Sequence, residues 1–427
     1  MTFVLALAAS LVDGRVLGQE QCPNPLIVAE IRILGNNQTK DEIILREMSL
    51  NAGDTLSESA IKHDRQRIYD LQLFNSVDIQ YAAEEDSAVV YVIVHERWYV
   101  FPFPVIGFKY RDPANLFYGA GIMHQNFRGR NEKIFGAFAL GFDRWVEASY
   151  FNPRLNNEDL YLRTSLRSAK VQNLRPGSGL YDQQRYGINV LFGKRFGLYQ
   201  TVSSWMSYDI WIVPFDKYRG TLSPSGRDAF FSAGVSYSYD TRNLREYTTE
   251  GSVYTLSASK IGLWNSDVDY ARFGFSMRKF QLLAEDISVG GRLFGTFTAG
   301  GALPPYGYLY FGYDERIRGY FTEVAEGEHA LGANLELRVP ILSPRYLVIP
   351  DLIIPEFSVL RYGVYAGIFV DAGNVWYRLD DFAGRKWYSG VGGGLHFLLP
   401  YSVIVRTEYA WNDKGRGEFI LDIGASF

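Results

Sequence analysis

The sequence predicts a transmembrane antiparallel β-barrel of about sixteen strands, preceded by a small α/β domain. Three observations predict it. Aromatic residues are abundant, with 8 Trp, 30 Tyr and 29 Phe among 427 residues, beside 42 glycines. From Trp98 onward, apolar and polar residues alternate with period two and no sustained helical period. A short apolar run opens the chain, as in exported proteins.

That run, Thr2–Val12, is far below the ~20 residues a spanning helix needs. With Val16-Leu17-Gly18 as a small-residue cleavage site, residues 1–18 read as a secretory signal peptide. Cys22 is the single cysteine, so neither an intramolecular disulfide nor a thiolate metal site is expected. A formal charge of −4 gives no electrostatic ground for binding nucleic acid, which needs clustered cations.

Residues 19–97 form the small domain. Leu26 to Gly35 reads as a strand because its second half alternates. Thr39 and Glu42 match a capping box, and Ile43, Ile44 and Met48 follow at helical spacing. Ser57 caps a second helix with Ile61, Ile68 and Leu71 on one face. Two strands, Val77–Tyr81 and Val89–Val94, flank the acidic turn Glu84-Glu85-Asp86. The order is β-α-α-β-β.

Residues 98–427 form the barrel. In "EFILDIGASF" Phe419, Leu421, Ile423, Ala425 and Phe427 are apolar, between Glu418, Asp422, Gly424 and Ser426. In "SVIVRTEYAW" the opposite face carries Arg406 and Glu408. Segments of about ten residues, aromatic near their ends, suit tilted strands with lipid on the apolar side and a charged lumen. Closure leaves no backbone group unpaired in lipid. Sixteen strands can be drawn, starting near 104, 115, 132, 144, 159, 183, 199, 227, 251, 266, 284, 329, 361, 386, 401 and 416, with counts of fourteen and eighteen as the alternatives. The longest connection is then 301–328, well beyond the ~12–15 residues of ordinary loops. It contains Arg316-Ile317-Arg318-Gly319-Tyr320.

The small domain, with "LFNSVDI" joining its second helix to the next strand, resembles a POTRA domain, a periplasmic polypeptide-handling module. The whole chain resembles the BamA/TamA outer-membrane assembly superfamily in a short form with one POTRA domain. Arg316-Ile317-Arg318-Gly319-Tyr320 is similar to that family's (V/I)RG(F/Y) signature in the sixth extracellular loop. "SYDTRNLREYTTEG" is similar to its D-(S/T)-R motif, and "QNFRGRNEKIFGAFALG" to its second barrel strand and following turn. "YFNPRL" resembles its F-x-x-P segment. "GIFVDAGNVW" is similar to the strand whose aspartate takes the loop arginine, which makes Asp371 the expected partner of Arg318. A buried arginine is costly unless it is paired, and a bidentate carboxylate pairs it best. Gly319 would allow close backbone approach and Tyr320 would pack in the lumen.

Two further features concern the barrel's ends. Pro102 and Pro104 lie at the entry to the first strand, and proline is confined to strand edges or starts. With Gly424 in the last strand they suggest a weak first-to-last seam that opens sideways. Phe427 ends the apolar alternation, and resemblance to outer-membrane clients suggests that it belongs to an assembly signal.

Enzymatic chemistry is not expected. His63, His95, His124, His329 and His396 lack metal-ligand spacing, and no cofactor motif is found. Gly177-Ser178-Gly179 lacks a nucleophile elbow's context, and no helix follows Gly390–Gly394 to hold a phosphate. The resemblance implies an outer-membrane insertase or translocase with the POTRA domain in the periplasm. Its partners would be unfolded outer-membrane or secreted polypeptides and the lipid bilayer, with accessory periplasmic proteins left open. The alternative is a passive outer-membrane channel or a surface-exposed structural barrel, since fold alone does not decide function.

Overall fold

The computed structural model describes residues 26–427, except 85, 110–112, 157–158, 173–180, 214–219, 265–266, 285, 313–314, 316, 321–324, 350–354 and 385–386. The expected signal peptide, Cys22 and Arg316 lie outside the described residues.

The small domain comprises β1 (Ile27–Leu34), α1 (Asp41–Leu45), α2 (Glu58–Tyr69), β2 (Phe74–Glu84) and β3 (Ser87–Glu96). The expected β-α-α-β-β order is present. β3 lies in the middle, parallel to β1 and antiparallel to β2. Ile44, Ile68, Leu73, Phe74 and Val92 are fully buried between helices and sheet. Each such side chain contributes about 1.5–3 kcal/mol of transfer free energy. Ser57 caps α2 by accepting the Ala60 N–H at 3.2 Å.

The capping box at Thr39 does not form. Lys40 is the N-cap of α1 and makes no side-chain cap bond. The Thr39 hydroxyl instead lies 3.0 Å from the Tyr99 hydroxyl and accepts from the Asn126 amide at 2.9 Å. Glu96 accepts the Thr39 N–H at 2.7 Å. Partners brought by the barrel outcompete the local bond because they satisfy a hydroxyl buried between two domains.

One antiparallel sheet of sixteen strands forms the barrel wall. It begins with β4 (Val100–Phe108), β5 (Leu116–Phe127), β6 (Glu132–Gly141), β7 (Arg144–Asn152) and β8 (Leu160–Gln172). It continues through β9 (Asp182–Phe196), β10 (Gln200–Ile212), β11 (Arg227–Asp240), β12 (Gly251–Leu263), β13 (Tyr270–Ala284) and β14 (Ile287–Gly300). Short strands β15 (Leu309–Phe311) and β16 (Ala325–Gly327) pair within the long connection. The wall then resumes with β17 (His329–Val348), β18 (Val359–Trp376), β19 (Tyr388–Leu399), β20 (Val403–Asn412) and β21 (Gly417–Ile423). Strand starts agree with the sequence expectation to within a few residues.

Alternation sorts the two faces. On β21 Phe419, Leu421 and Ile423 are exposed toward lipid, while Ile420 is buried inside. On β17 Leu335 is exposed and Glu336 and Arg338 are buried.

The small domain docks on the rim formed by the even-to-odd hairpins. Lys40 N–H donates to the Gly129 carbonyl at 2.9 Å, and Arg46 donates to the Pro153 carbonyl at 3.1 Å. Glu47 takes Arg67 from its own domain at 2.6 Å and Arg195 from the end of β9. Tyr199 and His63 bond at 2.9 Å. The β17–β18 hairpin reaches out to the domain, where Asn75 donates to the Glu356 carbonyl and Arg361 lies over Tyr69. Gly129 is required here: its φ is +71°, and a Cβ would run into the Gln38 carbonyl.

Asp70, at the end of α2, accepts the Arg245 N–H at 2.9 Å. Burial pushes its carboxyl up from 3.8 to about 6, against that bond and the nearby guanidiniums. A carboxyl raised by docking holds its proton more tightly when docked. The stabilisation is therefore full below the ordinary value and lost as pH rises through about 6. Docking should be tighter near pH 5 than near pH 7.5, read as hydrogen exchange of the rim amides, and Asp70→Asn should flatten that dependence.

Candidate functional site

The long connection folds into the lumen. Tyr306 stacks on Trp211 of β10 at 4.3 Å and donates to Asp228 at 2.6 Å. Across the barrel, Phe311, Ile317 and Tyr320 pack with Phe294 of β14 and Val375 of β18. Tyr320 meets Tyr388 edge-on at 5.1 Å.

Between these contacts Arg318 is buried and fully engaged. Its Nε and Nη2 donate to Asp371 at 2.7 and 2.9 Å, the expected bidentate contact. Its backbone N–H donates to the same carboxylate at 3.2 Å. Its Nη1 reaches Glu336 at 2.8 Å and Glu408 at 3.0 Å. The guanidinium carbon lies 3.4 Å from the ring centre of Phe369. The sequence reading anticipated one carboxylate; three strands supply three.

Glycines make room for this approach. Gly319 has φ +96°, and its carbonyl accepts from Asn412 at 2.9 Å. A Cβ on Gly390 would overlap the Arg318 carbonyl, and one on Gly392 would strike Phe369. The glycine-rich run of β19 is therefore a seat for the loop backbone.

The network continues below the loop. Arg338 donates to Glu336 at 2.8 Å and lies over Tyr247 at 4.5 Å. Glu408 bonds His396 at 3.2 Å and accepts from Arg406 at 2.9 Å. His396 bonds the Tyr247 hydroxyl at 2.8 Å. Tyr247 stands on the β11–β12 turn, which is braced by the bidentate Asp240–Arg242 pair at 3.0 and 2.9 Å. That pair is the physical content of the "DTR" motif. Glu336, His396 and Glu408 place ligand-type atoms within 4.8 Å of one another. The Arg318 guanidinium sits between the two carboxylates and supplies the positive charge there.

The second feature is the seam. β4 and β21 end the sheet, and no ladder joins them among the described residues. Gln125 N–H donates to the Tyr99 carbonyl, which in the β4–β5 register turns odd residues toward β5. Even residues, Pro102 and Pro104 included, therefore face the free edge. That edge lacks two N–H donors. On β21, Gly424 N–H donates to the Ile404 carbonyl, so even residues bond β20 and Gly417, Phe419, Leu421 and Ile423 face the seam.

Two sequence expectations need correction here. The last strand does not contain Gly424; it ends at Ile423, and Gly424 at φ +110° turns the following residues inward. Phe427 consequently does not extend the lipid face. It stacks on Phe280 at 5.9 Å in the lumen, beside Arg338. Ser426 donates to Glu336 at 2.6 Å, and the Gly424 carbonyl accepts from Arg406 at 2.8 Å. Charged partners inside the lumen outbid continued alternation. The missed site residues Glu336, His396 and Arg338 all sit at lumen-facing positions, so the period-two pattern held the signal.

A family model described as the Omp85 superfamily domain matches residues 126–427, and a POTRA model, surface antigen variable number repeat, matches residues 26–97. The outer membrane protein assembly factor BamA of Nitratidesulfovibrio vulgaris is 24% identical over 313 residues. That match covers 69% of this chain and 37% of the relative. A putative outer membrane protein assembly factor of Treponema pallidum is 36% identical over 72 residues, 16% of this chain and 9% of the relative. The chain thus matches little more than a third of the longer-matching relative's length. Among solved structures, BamA from Haemophilus ducreyi lacking POTRA domains 1–3 superposes with TM-score 0.55 at 19% identity, covering 93% of this chain and 83% of that one. CdiB from Escherichia coli gives 0.59 at 12% identity, covering 93% and 75%.

Arg318→Ala should release the loop, because leaving buried charges unpaired costs about 3–5 kcal/mol. Proteolysis within 301–328 and a lowered unfolding temperature of the purified protein read this. Arg318→Lys, which cannot span three carboxylates, should fall between. Wild-type protection in Arg318→Ala would show that the loop is held by its aromatic packing instead.

Proposed function

The chain belongs to the Omp85 superfamily, and we propose that it inserts or exports polypeptides at the outer membrane, without enzymatic chemistry. Its barrel lies in the outer membrane with the POTRA domain on the periplasmic side. The observation that carries the proposal is the seam. A closed passive barrel has no use for two sheet edges left unladdered, and open edges invite another strand. A polypeptide strand adds to such an edge through main-chain bonds that any sequence can make.

Two devices keep the edges from sealing. On β4, Pro102 and Pro104 remove donors from the half nearest the periplasm. On β21, the turn at Gly424 takes the chain away from the seam at the same end. Both weaken the seam where a client would arrive. The Arg318 network bears on β21 through Arg406, which reaches Asp422 at 3.2 Å and the Gly424 carbonyl. Loop and seam therefore share one set of charges.

A passive channel is disfavoured by what fills the lumen. The long connection crosses it from β10 to β20, and the small domain docks on the rim of the opposite mouth.

Depletion of the protein followed by outer-membrane proteomics tests the proposal. Loss of several barrel or exported proteins is expected; loss of a single solute's uptake would favour the channel. A disulfide between cysteines placed in β4 and β21 should stop client assembly until it is reduced. Replacing Pro102 and Pro104 together by Val restores two donors, each worth about 0.5–1.5 kcal/mol. That variant should crosslink across the seam more readily and assemble clients several-fold more slowly.

A further inference from the structure

A cavity of about 420 Å³ lies between the POTRA domain and the periplasmic ends of β6, β8 and β9. Its charge is unbalanced: seven cationic side chains line it against three carboxylates, Glu47, Asp70 and Asp240. All three carboxylates are already engaged. Glu47 is shared by Arg67 and Arg195, and Asp240 by Arg242 at 2.9 Å and Arg245 at 3.5 Å. Asp70 accepts a backbone N–H. Arg46 turns to Asp159 at 3.2 Å. Lys133 and Arg163 remain. Among the described residues neither has a carboxylate partner, and Arg163 only lies over Phe151 at 5.0 Å.

Burial alone would raise the Glu47 carboxyl, yet Arg195, Arg67 and Arg46 hold it at about 2. Aromatic walls from Phe151, Tyr161 and Tyr199 keep water from screening these charges fully. The cavity therefore favours a bound anion, and guanidinium and ammonium groups favour a carboxylate or phosphate.

The placement decides which anion. Lys133 and Arg163 point into the lumen: each alternates with outward positions, marked by the exposed Ile134 on β6 and Leu166 on β8. A lipid headgroup would have to leave the bilayer and enter the barrel to reach them. A chain arriving from the periplasm meets them first. We propose that this chamber binds acidic segments of an incoming polypeptide, with Lys133 and Arg163 taking its carboxylates. The inference rests on the reading above that the cargo is a polypeptide.

The test uses the purified full chain in detergent and fluorescein-labelled hexaglutamate, followed by fluorescence anisotropy, with hexaglutamine as control. Hexaglutamate should bind and hexaglutamine should not, and binding should weaken with salt. The double variant Lys133→Gln, Arg163→Gln should lose about tenfold in affinity, for two partly screened charge pairs. The double reversal Lys133→Glu, Arg163→Glu should lose hexaglutamate binding and gain hexalysine binding, which a misfolded barrel would not do. Equal binding of hexaglutamate and hexaglutamine, or unchanged affinity in the double variant, would overturn the site. Glycerol phosphate binding that depends on Lys133 and Arg163, without hexaglutamate binding, would also overturn it and assign a phosphate site. The proteomic depletion experiment is independent. A silent chamber with many barrel proteins lost refutes only the chamber; a binding chamber with none lost refutes only the insertase reading.

Discussion

The lumenal charge network that holds the long connection is arranged around one buried guanidinium. Arg318 comes from the long connection 301–328, yet it is met by Asp371, Glu336 and Glu408 from three different strands. Three carboxylates that close could not stay ionised in a low-dielectric interior without cations. Arg338 and Arg406 supply two more, so the cluster balances only when Arg318 is in place. Such clusters add little net stability compared with an apolar core, but removing one member is expensive. The loop is thus held in an all-or-none manner, and the same charges grip Ser426 and the Gly424 carbonyl beside the seam.

The motifs that carry the family resemblance have plain structural work. "DTR" braces the turn that lifts Tyr247 to His396. The turn at Gly129 and the Pro153 carbonyl receive the POTRA domain. A single small domain is only marginally able to bury enough surface by itself. Here its polar groups at Thr39, Glu47 and Asp70 find partners on the barrel, so domain and rim complete each other.

At the seam the sheet's two terminal strands, β4 and β21, are not laddered to each other among the described residues, so the rule of paired backbone is relaxed there. In lipid, unpaired groups are costly, and closed barrels exist because they have none. Proline lowers that cost on β4 by removing donors instead of pairing them. The turn at Gly424 shortens β21, so less edge is presented. An edge that is tolerable when empty and receptive when approached is what strand addition requires.

The sequence by itself indicated about sixteen strands, the lipid and lumen faces, the POTRA order and the Arg318–Asp371 contact. The first three follow from local alternation and helical spacing, which operate over a few residues; the fourth came from motif resemblance and a charge that needed a partner. Tertiary structure alone decided the rest. Thr39 looked like a helix cap until Tyr99 and Asn126 outcompeted the local bond. Phe427 continued an apolar alternation until lumenal charges drew its neighbours inward. Glu408 was visible as a lumenal charge but not as a partner of Arg318, and Glu336 was missed altogether. Contacts across the lumen join residues 90 positions apart, and no local pattern encodes which of them meet.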